Sequence, residues 1–220
     1  DISNLISPNI DWRQREIALE KAFPARTHTI LAVVDAPTPE LATLAADTLA
    51  ARLKKNPALF PEVRRPDGGE FFEKNGLLFL PTEQLGETLG QLQAATPFLS
   101  ILARDPNWRG LSYAGLAALG GVQARQFSLD ALAPIFDRFS NTFEQVTADK
   151  PASFSWQELL SNKASSPGEL RKFIDISPKL DYSALEPGRA ATDAVRQAAA
   201  DANLKSEYQA RVRLTGSVPI

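Results

Sequence analysis

The residue types that usually perform chemistry are few in this chain, and their spacing assembles none of the common reaction centres. His28 is the single histidine. It stands just before an aliphatic run, so it reads as a side chain at a strand edge rather than as a general base or ligand. With no second imidazole and no cysteine, a zinc site would have to be built from carboxylates alone. Serine–histidine catalysis would have to recruit His28, and no G-x-S-x-G elbow is present to position a nucleophile. The Gly-Gly pairs at 68–69 and 120–121 lack both G-x-G-x-x-G and the Gly-Lys-Ser/Thr ending of a phosphate loop, and read as turns or helix breakers. Glu83 and Glu87 sit one helical turn apart, which reads as a solvated face before it reads as an acid–base pair. Asp35 ends the aliphatic run and is the best-placed lone acid; turn or helix-capping geometry accounts for it. Arg189, near a helix start, reads as surface charge, with contact to an anionic group as the alternative. These residues imply no catalytic site, no metal and no cofactor.

What remains is apolar. Phe71, Phe72, Leu77, Leu78 and Phe79 sit beside glycines and are followed by Pro97, Phe98, Leu99, Ile101 and Leu102. One reading makes them the core of a helical region. The other makes them the wall of a groove for a lipid-like molecule, with Phe71, Phe72, Leu77, Phe79, Phe98 and Leu102 as its contacts.

The elements that must position these residues follow from pattern. After a polar lead-in, DISNLISPN, the Asp11-x-x-Gln14 pattern starts a helix by a capping-box variant, which runs over 12–23 and ends before Pro24. Thr27–Ala36 is a continuous β-branched and aliphatic run, expected to be a strand buried on both faces. Thr38-Pro39-Glu40 then supplies an N-cap, a proline at the first helical position and an acid in the first turn. The helix carries Leu41, Leu44, Leu49 and Leu53 as far as Lys55. Leu59–Arg65 alternates but contains Pro61, which confines it to a sheet edge. Nearer the C-terminus, Arg171–Ile176 is a strand, a helix starts at Glu186-Pro187, and Tyr208–Thr215 alternates as a one-sided strand. The order is β-α-β, a long insertion, then β-α-β, which predicts an α+β, split ferredoxin-like sandwich with a helical insertion. The expected division is 1–26 as lead-in and first helix, 27–66 with 169–220 as the sandwich, and 67–168 as the insertion.

Within the insertion, a short helix over Gly69–Lys74 is stopped by Gly76. A long helix from about Thr82 should be kinked or divided at Pro97, and DPNWRG turns the chain. A softer helix, Leu111–Leu119, breaks at Gly120-Gly121. Ser128 or Asp130 caps the cleanest amphipathic stripe of the chain: Leu132, Ile135, Phe136, Phe139, Phe143 and Val146. A last short helix lies around Trp156–Leu160. Nine of the twelve phenylalanines fall between positions 71 and 154, so the insertion is the aromatic part of the molecule.

Composition narrows the function classes. At 220 residues with 44% hydrophobic content, the chain is ordinary for a folded protein of one large or two small domains. A net charge of −2 with mixed signs and no basic block argues against nucleic acid. No run approaches the ~20 apolar residues needed to cross a bilayer, and no signal-peptide pattern opens the chain. The absence of methionine even at position 1 implies a processed chain or a piece of a longer one.

Several long stretches carry a resemblance: DISNLISPNIDWRQREIALEKAFP, ILAVVDAPTPELATLAADTLAARL, VRRPDGGEFFEKNGLLFL, PFLSILARDPNWRGL and RKFIDISPKLDYSALEPGRAATDAVRQAAADANL. Together they are similar to the first periplasmic loop of the hopanoid-biosynthesis-associated RND transporters, relatives of the mycobacterial-type large lipid exporters. The resemblance implies a porter subdomain on the periplasmic side of a Gram-negative inner membrane. The parent would be a proton-driven protein moving hopanoid-like lipids towards the outer membrane, its proton-relay acids in membrane helices outside this chain. The implied partners are the lipid, the second periplasmic loop of the same transporter and a homodimer mate, with no nucleic acid. The alternative role is a structural or assembly module that contacts domains or protomers and binds no lipid; a free-standing enzyme lacks a site.

Overall fold

The computed structural model describes residues 7, 9–22, 28–105, 107–126, 128–161 and 163–218. The lead-in over 1–6, the expected helix end at Phe23-Pro24, the strand start at Thr27 and the ring of Phe127 lie outside the described residues. The chain divides into two compact units, one of residues 1–37, 41–68 and 170–220, the other of residues 38–40 and 69–169.

The first unit is built on a four-stranded antiparallel sheet in the order β2-β3-β1-β4, which with its helices makes the protein α+β. β1 (Ile30–Asp35) pairs with β3 (Arg171–Ser177) from Ile30↔Ile176 to Asp35↔Arg171. It pairs with β4 (Arg211–Gly216) from Ile30↔Gly216 to Asp35↔Arg211. β2 (Glu62–Arg64), directly after Pro61, is an edge strand on β3. Helix α1 is Asp11–Ala22; Asp11 is its first residue, and the first intrahelical bond runs from the Gln14 N–H to the Ile10 carbonyl at 3.0 Å. Helices α2 (Pro39–Lys54) and α8 (Arg189–Asp201) supply Ala45, Leu49, Ala191 and Val195 to a core shared with Ile30, Val34, Ile174 and Ile176. A short α9 (Leu204–Glu207) precedes β4.

Three expectations change here. β1 is buried on one face only, alternating with half-buried Leu31, Val33 and Asp35. β4 begins at Arg211 rather than Tyr208, because Asn203 and Gln209 take left-handed backbone (φ 51° and 52°) around the α9 turn. Asp35 neither caps nor turns. It accepts from Arg171 Nε at 2.6 Å and from Arg213 on the opposite neighbouring strand. Burial alone would raise its carboxyl, and the two arginine hydrogen bonds outweigh burial and hold it below the ordinary carboxylate range. Arg189 makes exposed pairs with Glu186 (3.5 Å) and Asp193 (3.8 Å), as a surface charge does.

The second unit is helical among its described residues: α3 (Glu70–Asn75), a 3₁₀ turn (Gly76–Phe79), α4 (Thr82–Arg104), α5 (Trp108–Gln123), α6 (Leu129–Thr147) and α7 (Trp156–Ser161). α3 ends at Asn75 with Gly76 as its C-cap, as the sequence led us to expect, and Gly76 then opens the 3₁₀ turn with ordinary helical dihedrals. α4 runs undivided through Pro97, and α6 likewise contains Pro134. Gly120 and Gly121 lie inside α5, neither with positive φ. Glycine costs a helix only about 1 kcal/mol relative to alanine, so packing overrides it.

Because the folded-state carboxyl of Asp35 is depressed, its contribution to stability is present above the unfolded value of about 3.9 and is lost as pH falls through the folded one. Asp35→Asn should therefore lower the urea midpoint clearly at pH 7 and by less at pH 3. An equal loss at both values would contradict the ion-paired role.

Candidate functional site

The second unit contains a cavity of about 910 Å³, towards the upper end of the ~300–1,000 Å³ typical of small-molecule sites. Its walls come from α4 (Phe98, Ile101), α5 (Ala114, Gly115, Ala118), α6 (Ile135, Phe136, Phe139, Phe143) and α7 (Leu159). Gln91, Ser112 and Gln126 are its polar lining groups, and no charged side chain lines it among the described residues. The space exists because α5 presents alanine and glycine to the bulky stripe of α6. A Cβ placed on Gly115 would sit 3.7 Å from the Phe136 ring, an ordinary contact distance.

The helices are fixed around this space by local sequence. At the α4–α5 turn, the Asn107 side chain accepts from the N–H groups of Arg109 (2.8 Å) and Gly110 (3.3 Å), satisfying donors that a helix start leaves free. Arg109 Nε meets Asp105 at 2.7 Å, and that hydrogen bond, with the charge behind it, raises the guanidinium above its usual value. α7 is tied to α6 by Arg138 and Glu158 at 3.4 Å. The Ser165 N–H donates to Glu158 at 2.8 Å; this bond chiefly lowers the Glu158 carboxyl, Arg138 adds to it, and burial and Glu169 oppose it. An aromatic arc follows. Phe139 stacks on Phe154 (4.8 Å), Phe154 meets Trp156 edge-on (4.9 Å), and Trp156 lies 6.4 Å from Phe98.

The expected groove residues fall in two places. Phe98 is in the cavity wall. Phe71, Phe72 and Phe79 form their own cluster, with ring centroids 5.4, 6.1 and 5.7 Å apart, and all three are exposed, as is Leu77. Leu102 is half-buried on α4 and does not line the cavity. The wall residues of α5 and α6 were not among the expected contacts. Their signal was available as a small-residue run, Tyr113–Gly121, followed by the stripe of α6, a pairing in which large side chains meet small ones without filling the volume. His28 belongs to the first unit, where its ring lies 3.4 Å from the Tyr182 hydroxyl.

The chain matches two curated relatives over its whole length. It is 48% identical over 220 residues to the hopanoid transporter HpnN of Rhodopseudomonas palustris (strain TIE-1) and 40% identical over 223 residues to the hopanoid transporter HpnN of Burkholderia multivorans (strain ATCC 17616 / 249). The chain is thus similar to one stretch of each of these two transporters. It spans about a quarter of the length of those relatives (25% in each case). No family model matches it. Among the described residues, no helix is long and apolar enough to cross a membrane.

Gly110 is the position on which the α4–α5 turn depends: an added Cβ would lie 1.9 Å from the Asp105 carbonyl oxygen. Gly110→Ala should destabilise the protein by about 1–3 kcal/mol. At Gly120 nothing lies within 4 Å of an added Cβ, so Gly120→Ala should be neutral or stabilising by up to ~1 kcal/mol. Urea unfolding of both variants checks this, and a shift of the same sign in both would contradict the geometry.

Proposed function

We propose that this domain receives a hopanoid-like lipid in the cavity of its helical unit and passes it on as part of a transporter, without catalysing a reaction. The observation that carries the reading is a cavity of about 910 Å³ with no charged lining among the described residues, in a chain whose relatives are named hopanoid transporters. An uncharged, largely apolar molecule loses little by leaving water for such a wall, whereas an ionised group would arrive with no counter-charge to meet it. The exposed ring cluster of Phe71, Phe72 and Phe79 with Leu77 is a second apolar contact on the same unit; with Phe98 and Leu102 it completes the lipid-contacting set proposed here.

The remainder of the reading concerns the whole transporter. We place the domain on the periplasmic side of a Gram-negative inner membrane, as a porter domain of an RND-type, proton-driven protein that moves its lipid towards the outer membrane. The second periplasmic loop and a homodimer mate would be its neighbours. The split ferredoxin-like description, with the sandwich over 27–66 and 169–220 around an insertion over 67–168, is supported by strand order: β3 lies between β1 and β2, and β1 between β3 and β4, so the two β-α-β halves interleave.

Titration of the chain with a hopanoid delivered from cyclodextrin, followed by tryptophan emission, tests the reading, because Trp156 stands beside Phe98. Saturable binding is expected, weakened about tenfold or more (about 1.4 kcal/mol) by Ala118→Trp and by Phe98→Asp in variants that keep their circular dichroism. Concentration-dependent self-association with no lipid uptake would favour the structural module and overturn the lipid-receiving role.

A further inference from the structure

The sheet order places β4 at an edge, and among the described residues no strand pairs with it on the side away from β1. Alternate N–H and C=O groups of such a strand point outward and can template another strand. Beside β4 runs a groove of about 450 Å³, lined by Arg196 and Ala199 of α8 and by Val212, Arg213 and Leu214 of β4. A strand edge flanked by a helix, with a groove between them, is the geometry in which extended peptides add to sheets.

Charge selects the occupant. Both ionisable groups of the groove wall, Arg196 and Arg213, are basic; Arg196 pairs with Asp193 at 3.1 Å and Arg213 with Asp35, so the uncompensated charge of the edge is that of Arg211. Arg211 is exposed on the same strand, and among the described residues it has no carboxylate within ion-pair distance. A second copy of the chain pairing β4 against β4 would set these arginines directly or diagonally opposite one another, which is destabilising. An acidic strand would meet them favourably. Side chains of the added strand at the intervening positions would lie over half-buried Val212 and Leu214 and over Ala199. We propose that the free edge of β4 and the groove beside it dock an extended polypeptide segment with acidic and apolar residues in alternation, added as a fifth strand.

The test is a nuclear magnetic resonance titration of the isotope-labelled 220-residue chain with a short alternating Glu-Val peptide and with its Lys-Val counterpart. The expected result is amide shifts over 211–216 and along α8 with the Glu-Val peptide, at an affinity about tenfold or more above that of the Lys-Val peptide. Arg211→Glu combined with Arg196→Glu, both exposed positions, should reverse the preference. If that double variant loses its dispersed spectrum, Arg211→Gln alone should still weaken Glu-Val binding and leave Lys-Val binding unchanged. Equal affinities for the two peptides, shifts confined to other elements, or β4 shifts that grow with protein concentration in the absence of peptide would each overturn the proposal.

Discussion

The pairing of β3 between β2 and β1 is the constraint on which the rest depends. The chain leaves the sheet after Arg64 and returns at Arg171, and these two strands are then hydrogen-bonded to each other, Val63 opposite Ile176 and Arg64 opposite Asp175. The whole helical unit is therefore a loop closed by a sheet ladder. Closing a long loop costs entropy that grows only slowly with its length, so an insertion of this size is tolerated provided the ladder is firm. Fully buried Ile30, Ile174 and Ile176 and the bridge from Asp35 to arginines on both neighbouring strands make it firm.

Freed from closing the sheet, the helical unit can be packed less completely than a core. Protein interiors are usually close-packed, and atoms lining a void forfeit dispersion contacts. The aromatic arc from Phe98 through Trp156 and Phe154 to Phe139, the Asn107 cap and the Arg138–Glu158 tie hold the walls at their edges, so the cavity need not be filled to be defined.

Much of this was legible in the sequence where physics is local. Pro39 at a helix start, Pro61 beside an edge strand and the alternation of β4 each mark their elements through backbone restrictions that neighbours do not override. The limits of legibility are also physical. Pro97 and Gly120-Gly121 look like breaks, yet packing in a helical unit keeps α4 and α5 continuous. The partners of Asp35 lie 136 and 178 residues away, beyond any local pattern. The cavity is a property of two helix faces meeting, so Phe98 was visible by its bulk, whereas Ala114, Gly115 and Ala118 matter for the side chains they lack.

The proposed lipid site is the space among α4, α5 and α6. The most direct measurement is photolabelling of the chain with a hopanoid carrying a diazirine on its ring body, followed by peptide mapping. Labelled peptides are expected from 91–101, 111–121 and 132–143, suppressed by excess unlabelled hopanoid. Labelling confined to the first unit, or unaffected by the competitor, would contradict it.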